Sequence, residues 1–255
     1  MTFLRTLIFF TGFCLYQLLI LPLLAYFQWA ARQQGAASVR RRVHPVIRTW
    51  GKSVCWLAGT KIERLHYSDA GHDEVLLIVS NHQADFDIPL LAGWMGRPLA
   101  FVAKKELASL PLLSQWMKLS GCIFLDREDK RKQVAQVRET IQTLQQGQSL
   151  VIFPEGTRSG SDELGPFAKG SLNIALKAGV RIQPVTVQGT WKLKPKGKNL
   201  FPGGKVRMVL HPPIDPATLP AEEQAQLHEL VRERIRSGLV SSGTRPAEPQ
   251  NDNSQ

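Results

Sequence analysis

At 255 residues the chain can hold one medium domain with attachments, and it is long enough to bury a sizeable core. Its 32 Lys and Arg against 21 Asp and Glu leave a formal charge of +11, which favours anionic partners such as acidic lipid, phosphorylated ligands or nucleic acid. Nucleic acid is the weakest of these, because the sequence has no zinc-finger spacing, RNP-like motif or basic helix with interleaved aromatics.

Residues 6–31 form a run of 26 without a single charge, bracketed by Arg5 and Arg32. Such a run can cross a bilayer as one tilted helix, and Tyr26, Phe27 and Trp29 near its end suit a membrane interface. A signal peptide would have a shorter apolar stretch, and a buried core helix would be amphipathic. Residues 1–32 are therefore expected to be a membrane segment: one spanning helix, or two half-inserted helices broken at Gly12 or Pro22. Arg32, Arg40, Arg41, Arg42, Arg48 and Lys52 follow with no acidic residue among them. That excess predicts a cytoplasmic flank held against anionic headgroups, at about 1 kcal/mol per well-placed cation.

The main domain is expected over 33–240. A short helix is predicted at 46–57, carrying Trp50 and Trp56. The stretch 74–80 (EVLLIVS) is apolar and β-branched without alternation, as in a buried parallel strand. A helix follows at 87–96, with Asp87 placed to cap it and Pro89 tolerated in its first turn. Next come a strand at 99–103, a helix at 107–120 with Pro111 near its start, and a strand at 121–125. Val134, Val137, Ile141 and Leu144 recur at helical spacing over 129–146, and Gly147 closes that helix. A strand at 149–153, a helix at 169–178, strands at 180–188 and 206–210, and a closing helix at 222–239 complete the pattern. The polar tail 241–255 is expected to be disordered. Strands alternating with helices predict an α/β fold, with a mainly parallel central sheet flanked by helices behind an apolar, membrane-associated N-terminal segment. Residues 164–214 hold nine basic and no acidic residues, which suggests a basic face toward phosphates or an acidic membrane.

Two segments carry chemistry, and both sit where an apolar strand ends, the place where open α/β sheets put ligands. In Asn81-His82-Gln83-Ala84-Asp85-Phe86-Asp87, a gap of five lets Asp87 fold back to the imidazole Nδ1 of His82 and leave Nε2 as a base. Asp85 is a competitor for that role. In Phe153-Pro154-Glu155-Gly156-Thr157-Arg158-Ser159, Gly156 lets backbone approach a ligand and Arg158 offers a forked phosphate donor. Glu155 could accept from a substrate hydroxyl or clamp an arginine. Arg127, after the 121–125 strand, is a second phosphate candidate, and Lys104 and Lys105 are candidate anion or oxyanion stabilisers. The lack of a GxSxG elbow suits a base that activates a substrate hydroxyl directly. Cys14, Cys55 and Cys122 make no CxxC and point to a reducing compartment, and no HExxH is present, so no metal is expected.

NHQADFD resembles the His-x4-Asp motif of the glycerolipid acyltransferase family. GCIFLDR is similar to that family's second motif, FPEGTRS to its third, and the proline-containing 180–185 stretch to its fourth, all in the family's order. The small bacterial members that acylate 1-acyl-glycerol-3-phosphate are the most similar. The resemblance implies acyl transfer without a covalent enzyme intermediate, from acyl-CoA or acyl carrier protein to the 2-hydroxyl of lysophosphatidic acid, with no other cofactor. It implies His82 as base, Asp87 as its orienter, and Arg127, Glu155, Gly156, Thr157 and Arg158 around the glycerol phosphate, helped by Lys104 or Lys105. Relatives acting on lyso-ornithine lipid share these motifs, and a non-catalytic anionic-lipid binder would need no base. A bacterial inner membrane, with the domain on the cytoplasmic side, is the expected location.

Overall fold

The computed structural model describes residues 2–126, 129–195, 197 and 200–240, the side chain of Lys130 excepted. Arg127, Lys196, Lys198 and the tail 241–255 thus lie outside the described residues. Seven strands form one sheet: β1 (Thr60–His66), β2 (Leu76–Ser80), β3 (Leu99–Lys104), β4 (Ile123–Leu125), β5 (Ser149–Ile152), β6 (Arg181–Gln188) and β7 (Gly204–Leu210). Their order is β1-β7-β6-β2-β5-β3-β4, and every described pairing is parallel except β6 with β7.

The helices are α1 (Thr2–Leu19), α2 (Leu21–Gln34), α3 (Ala36–Leu57), α4 (Asp87–Trp94), α5 (Leu113–Leu119), α6 (Lys130–Gln145), α7 (Asn173–Ala178), α8 (Ala221–Ala225) and α9 (Leu227–Ser237). The pleat explains why β2 is apolar on both sides. Leu76 and Ile78 enter a core shared with Val54 and Cys55 of α3 and Leu90 and Leu91 of α4. Leu77 and Val79 enter a second core with Leu144 of α6, Ala175 of α7, and Val231 and Ile235 of α9.

The N-terminal run is two helices, and the break falls at Ile20, just before Pro22 in the first turn of α2; Gly12 stays helical. Proline lacks the N–H that continuing α1 would need, yet it fits the first turn of a new helix. One face of α1 docks on the domain. Phe9 stacks on Phe201 with centroids 3.9 Å apart, Phe201 N–H donates to the Thr6 hydroxyl at 3.0 Å, and Arg5 donates to the Pro202 carbonyl. Leu4, Leu7, Ile8, Leu15 and Leu18 remain exposed. By length and composition α1 is the described helix able to cross a membrane.

Four expectations need correction. Helix α3 begins ten residues before the predicted 46, because Val39 and Val43 pack against α2 and α5 and Pro45 is accommodated inside it. Strand β1 was not predicted. Its charges, Lys61, Glu63 and Arg64, mask the apolar Ile62 and Leu65, as befits an edge strand that pairs with β7 alone. The predicted 107–120 helix is a 3-10 turn (Lys105–Ser109) and α5, separated around Pro111. The closing helix is divided at Gln226 into α8 and α9.

Candidate active site

His82 and Asp87 lie in the turn from β2 to α4, at the C-terminal end of the sheet's central strand. Their contact is short: His82 Nδ1 is 2.6 Å from Asp87 Oδ2. The same oxygen accepts the backbone N–H groups of Gln83 at 2.7 Å and Ala84 at 2.9 Å. The other carboxylate oxygen accepts the Thr190 hydroxyl. Asp87 is wholly buried, while the His82 side chain keeps 17 % of its surface accessible. With Asp87 accepting on both oxygens, Nδ1 is the protonated nitrogen and Nε2 is left as acceptor. Asp87 was expected to cap α4. It is instead the first residue of that helix, and its carboxylate turns back to the preceding loop.

The second segment follows β5, which is hydrogen-bonded to β2. Phe153 stacks on the His82 ring, with centroids 4.1 Å apart and planes 20° apart. Two backbone bonds tie the loops together: Ser159 N–H to the His82 carbonyl at 2.8 Å, and Gly160 N–H to the Gln83 carbonyl at 3.1 Å. Glu155 clamps from below. It accepts the backbone N–H of His82 at 2.7 Å and that of Gly165 at 2.9 Å. Burial raises the Glu155 pKa above its ordinary value, against the lowering effect of those two donors. These contacts make Glu155 a brace for the His82 backbone. Arg232 of α9 braces the same loop by donating to the carbonyls of Gly165 at 2.8 Å and Leu164 at 3.3 Å.

Gly156 closes the turn from Phe153 with φ of +70°, a region that favours glycine. Thr157 and Arg158 are exposed on the same loop. Arg158 pairs with Asp85 at 2.5 Å, so Asp85 faces the 155–158 loop and does not compete for His82. Lys104 is exposed at the end of β3, and Lys105 donates to Asp126 at 3.0 Å. Both sit at the same end of the sheet as His82, two strands away. Among the described residues no group of three or more His, Cys, Asp or Glu side chains is placed to hold a metal.

Sequence reasoning missed a supporting layer. Thr190, just past β6, is buried against Asp87. Gln83 Oε1 accepts the Gly189 N–H at 2.7 Å, and its amide donates to Asp162 at 3.1 Å. Asp162 also accepts the Trp191 indole N–H at 3.1 Å and pairs with Lys192 at 3.3 Å. Asn81 exchanges two 2.8 Å bonds with the backbone of Val187. Val187, Gly189 and Thr190 lie about a hundred positions from Asn81, Gln83 and Asp87, and no local spacing announces them.

A family model described as Acyltransferase matches residues 60–188, a span holding the His82 loop and the Glu155 loop. The chain belongs to the acyltransferase family. A relative named 1-acyl-sn-glycerol-3-phosphate acyltransferase from Borreliella burgdorferi is 32% identical over 180 residues, covering 71% of this chain and 72% of the relative. A chloroplastic protein of the same name from Brassica napus is 38% identical over 143 residues, covering 56% of this chain but 41% of the plant protein. The chain thus matches about two fifths of that plant relative's length. The crystal structure of the 1-acyl-sn-glycerophosphate (LPA) acyltransferase from Thermotoga maritima superposes with a TM-score of 0.78 at 30% identity, covering 97% of this chain and 98% of that one. Bacterial relatives and the apolar α1 together suggest that this acyltransferase associates with a membrane.

Proposed function

We propose that this chain moves an acyl group from acyl-CoA or acyl carrier protein to the 2-hydroxyl of 1-acyl-glycerol-3-phosphate, giving phosphatidic acid and the free thiol carrier. The observation that carries this reading is the 2.6 Å contact between His82 and the buried Asp87, beside a loop that presents Arg158. Nε2 of His82 takes the hydroxyl proton as the substrate oxygen bonds to the thioester carbonyl carbon. The C–S bond of the resulting adduct then breaks, and the imidazolium returns the proton to the departing sulfur. Asp87 fixes the ring and stabilises its charged form between the two transfers. No acyl-enzyme forms, and this chemistry calls for no metal or other cofactor.

Arg158, joined by Arg127, grips the phosphate of the acceptor, exchanging its exposed partner Asp85 for a dianion. Gly156 and Thr157 offer backbone and hydroxyl on the same loop, and Glu155 holds His82 in place. Lys104 and Lys105 act near the phosphate or the thioester oxygen. The names of the relatives support the acceptor. The exposed face of α1 and the basic stretch 32–52 support a site at the cytoplasmic face of a bacterial inner membrane, where the lipid acceptor and product reside.

Mass analysis of the lipid product, with 1-oleoyl-glycerol-3-phosphate and lyso-ornithine lipid offered together, tests the acceptor. Phosphatidic acid as the main product is expected. Acylated ornithine lipid as the sole product would keep the base and overturn the phosphate acceptor.

A further inference from the structure

Residues 110–113 form a run of four exposed apolar residues in a chain of formal charge +11. Leu110, Leu112 and Leu113 are 44%, 36% and 38% accessible. Consecutive exposed apolar residues have no structural benefit in water and signal an interaction. The backbone there is also unusual. Among the described residues Leu112 is the one non-glycine in the left-handed region, at φ 61° and ψ −53°. Leu113 N–H donates to the Pro111 carbonyl at 2.6 Å, which closes a strained three-residue turn. A leucine held in such a conformation marks a functional constraint.

Most of the turn's backbone polar groups are hydrogen-bonded locally. Leu110 N–H donates to the Leu107 carbonyl at 3.3 Å, and Pro111 has no N–H to satisfy. The carbonyls of Leu110, Pro111 and Leu112 accept from Ser114, Leu113 and Trp116 respectively. Local pairing of this kind lowers the cost of bringing the loop toward hydrocarbon, because lipid offers its polar groups nothing. The loop also continues the apolar N-terminal surface. It leads into α5, where Trp116 packs edge-on against Phe27 of α2 and Gln115 accepts from Gln28 at 2.9 Å. The parallel strand β3 delivers it to the end of the sheet where His82 lies.

We infer that the Leu110–Leu113 turn inserts into the acyl-chain region of a lipid leaflet beside α1 and α2, so that the leaflet meets the active-site end of the sheet at two places. This rests on the membrane-associated reading of α1 and α2. The two insertions set the tilt of the domain, so the turn governs access of a leaflet-borne acceptor to His82 more than the chemistry itself.

The test uses the full chain and vesicles of phosphatidylglycerol and phosphatidylethanolamine. Cys14 on α1 is exposed, Cys55 is buried, and the half-buried Cys122 sulfur accepts the Phe101 N–H. An environment-sensitive dye on Cys14 therefore reports α1, and the same dye on Leu112→Cys in a Cys14→Ser background reports the turn. Nitroxide lipids labelled within the acyl chain are expected to quench both dyes. Quenching at Cys14 without quenching at Leu112→Cys overturns the insertion of the turn and leaves the membrane reading of α1 intact. Quenching at neither site overturns both. The triple variant Leu110→Ser, Leu112→Ser, Leu113→Ser is expected to keep its thermal midpoint and lose roughly a hundredfold in vesicle affinity, the scale for withdrawing the exposed parts of these leucines, about one side chain's surface, from an apolar phase. It should raise KM for vesicle-borne acceptor while sparing kcat in detergent. An unchanged vesicle affinity in a folded triple variant contradicts the inference. So does insertion that depends on a second protein, which would make the turn a protein contact.

Discussion

Asp87 accepts four hydrogen bonds inside the protein: one from the His82 ring, two from backbone N–H groups and one from Thr190. The first three come from its own loop, which is why the His-to-Asp spacing was legible in sequence. Thr190 comes from the far end of β6 and was not. Its hydroxyl fixes the rotation of the carboxylate that aims His82, so it is a positioning residue. Thr190→Val keeps the shape and removes the donor. A buried carboxylate oxygen short of its partner costs about 1–3 kcal/mol of stability. A misaimed base costing about 1.4 kcal/mol in the barrier slows kcat tenfold. Thr190→Ser restores the donor and is expected to recover most of the rate, with KM little changed in either variant. Equal kcat in Thr190→Val and wild type would remove Thr190 from the dyad.

At the scale of elements, α3 and α4 cross where Gly51 meets Pro89 and Gly93. A Cβ on Gly51 would lie 2.5 Å from the Pro89 carbonyl oxygen and 2.8 Å from the Gly93 nitrogen. Gly51→Ala is therefore expected to force the helices apart and cost about 1–3 kcal/mol, read as a lowered thermal midpoint. Because α4 starts at Asp87, the shift should reach the dyad, and activity should fall with stability. A midpoint equal to wild type would contradict the close crossing.

The edges of β2 and β6 are joined by Arg181, which donates to both Glu74 oxygens at 2.5 and 2.6 Å. The Arg181 hydrogen bonds hold the Glu74 pKa below its ordinary value of 4.5. A depressed carboxylate adds stability above its unfolded value and loses it as pH falls through the folded one. Glu74→Gln is therefore expected to be less stable than wild type at neutral pH, by about 1 kcal/mol or less for this solvent-touched pair, and indistinguishable from it in strong acid. Denaturant midpoints at both pH values check this; a gap that widens in acid would reverse the sign.

Across the whole molecule, the strand–helix alternation, the order of the motifs and the two-sided burial of β2 were legible because each is written in local apolar patterns. The edge strand β1 and the first half of α3 were not. Their sequences are dominated by charge, and only the partners, β7 for one and α2 with α5 for the other, reveal what Ile62, Val39 and Val43 do. Within the site, His82, Asp87 and the Glu155 loop could be named in advance. The role of Glu155 could not, since its contacts to His82 and Gly165 depend on how two loops stack. The break of the apolar segment falls beside Pro22, one of the two predicted positions, and Thr6 and Phe9 of α1 are buried against the domain.

The proposed acyl transfer to lysophosphatidate depends on His82 as its base. Its most direct test is thiol release from oleoyl-CoA by the solubilised protein, with and without 1-oleoyl-glycerol-3-phosphate, for wild type and a folded His82→Ala variant. Release that requires the acceptor and disappears in His82→Ala is the predicted result. Acceptor-dependent release at the wild-type rate by His82→Ala would contradict it.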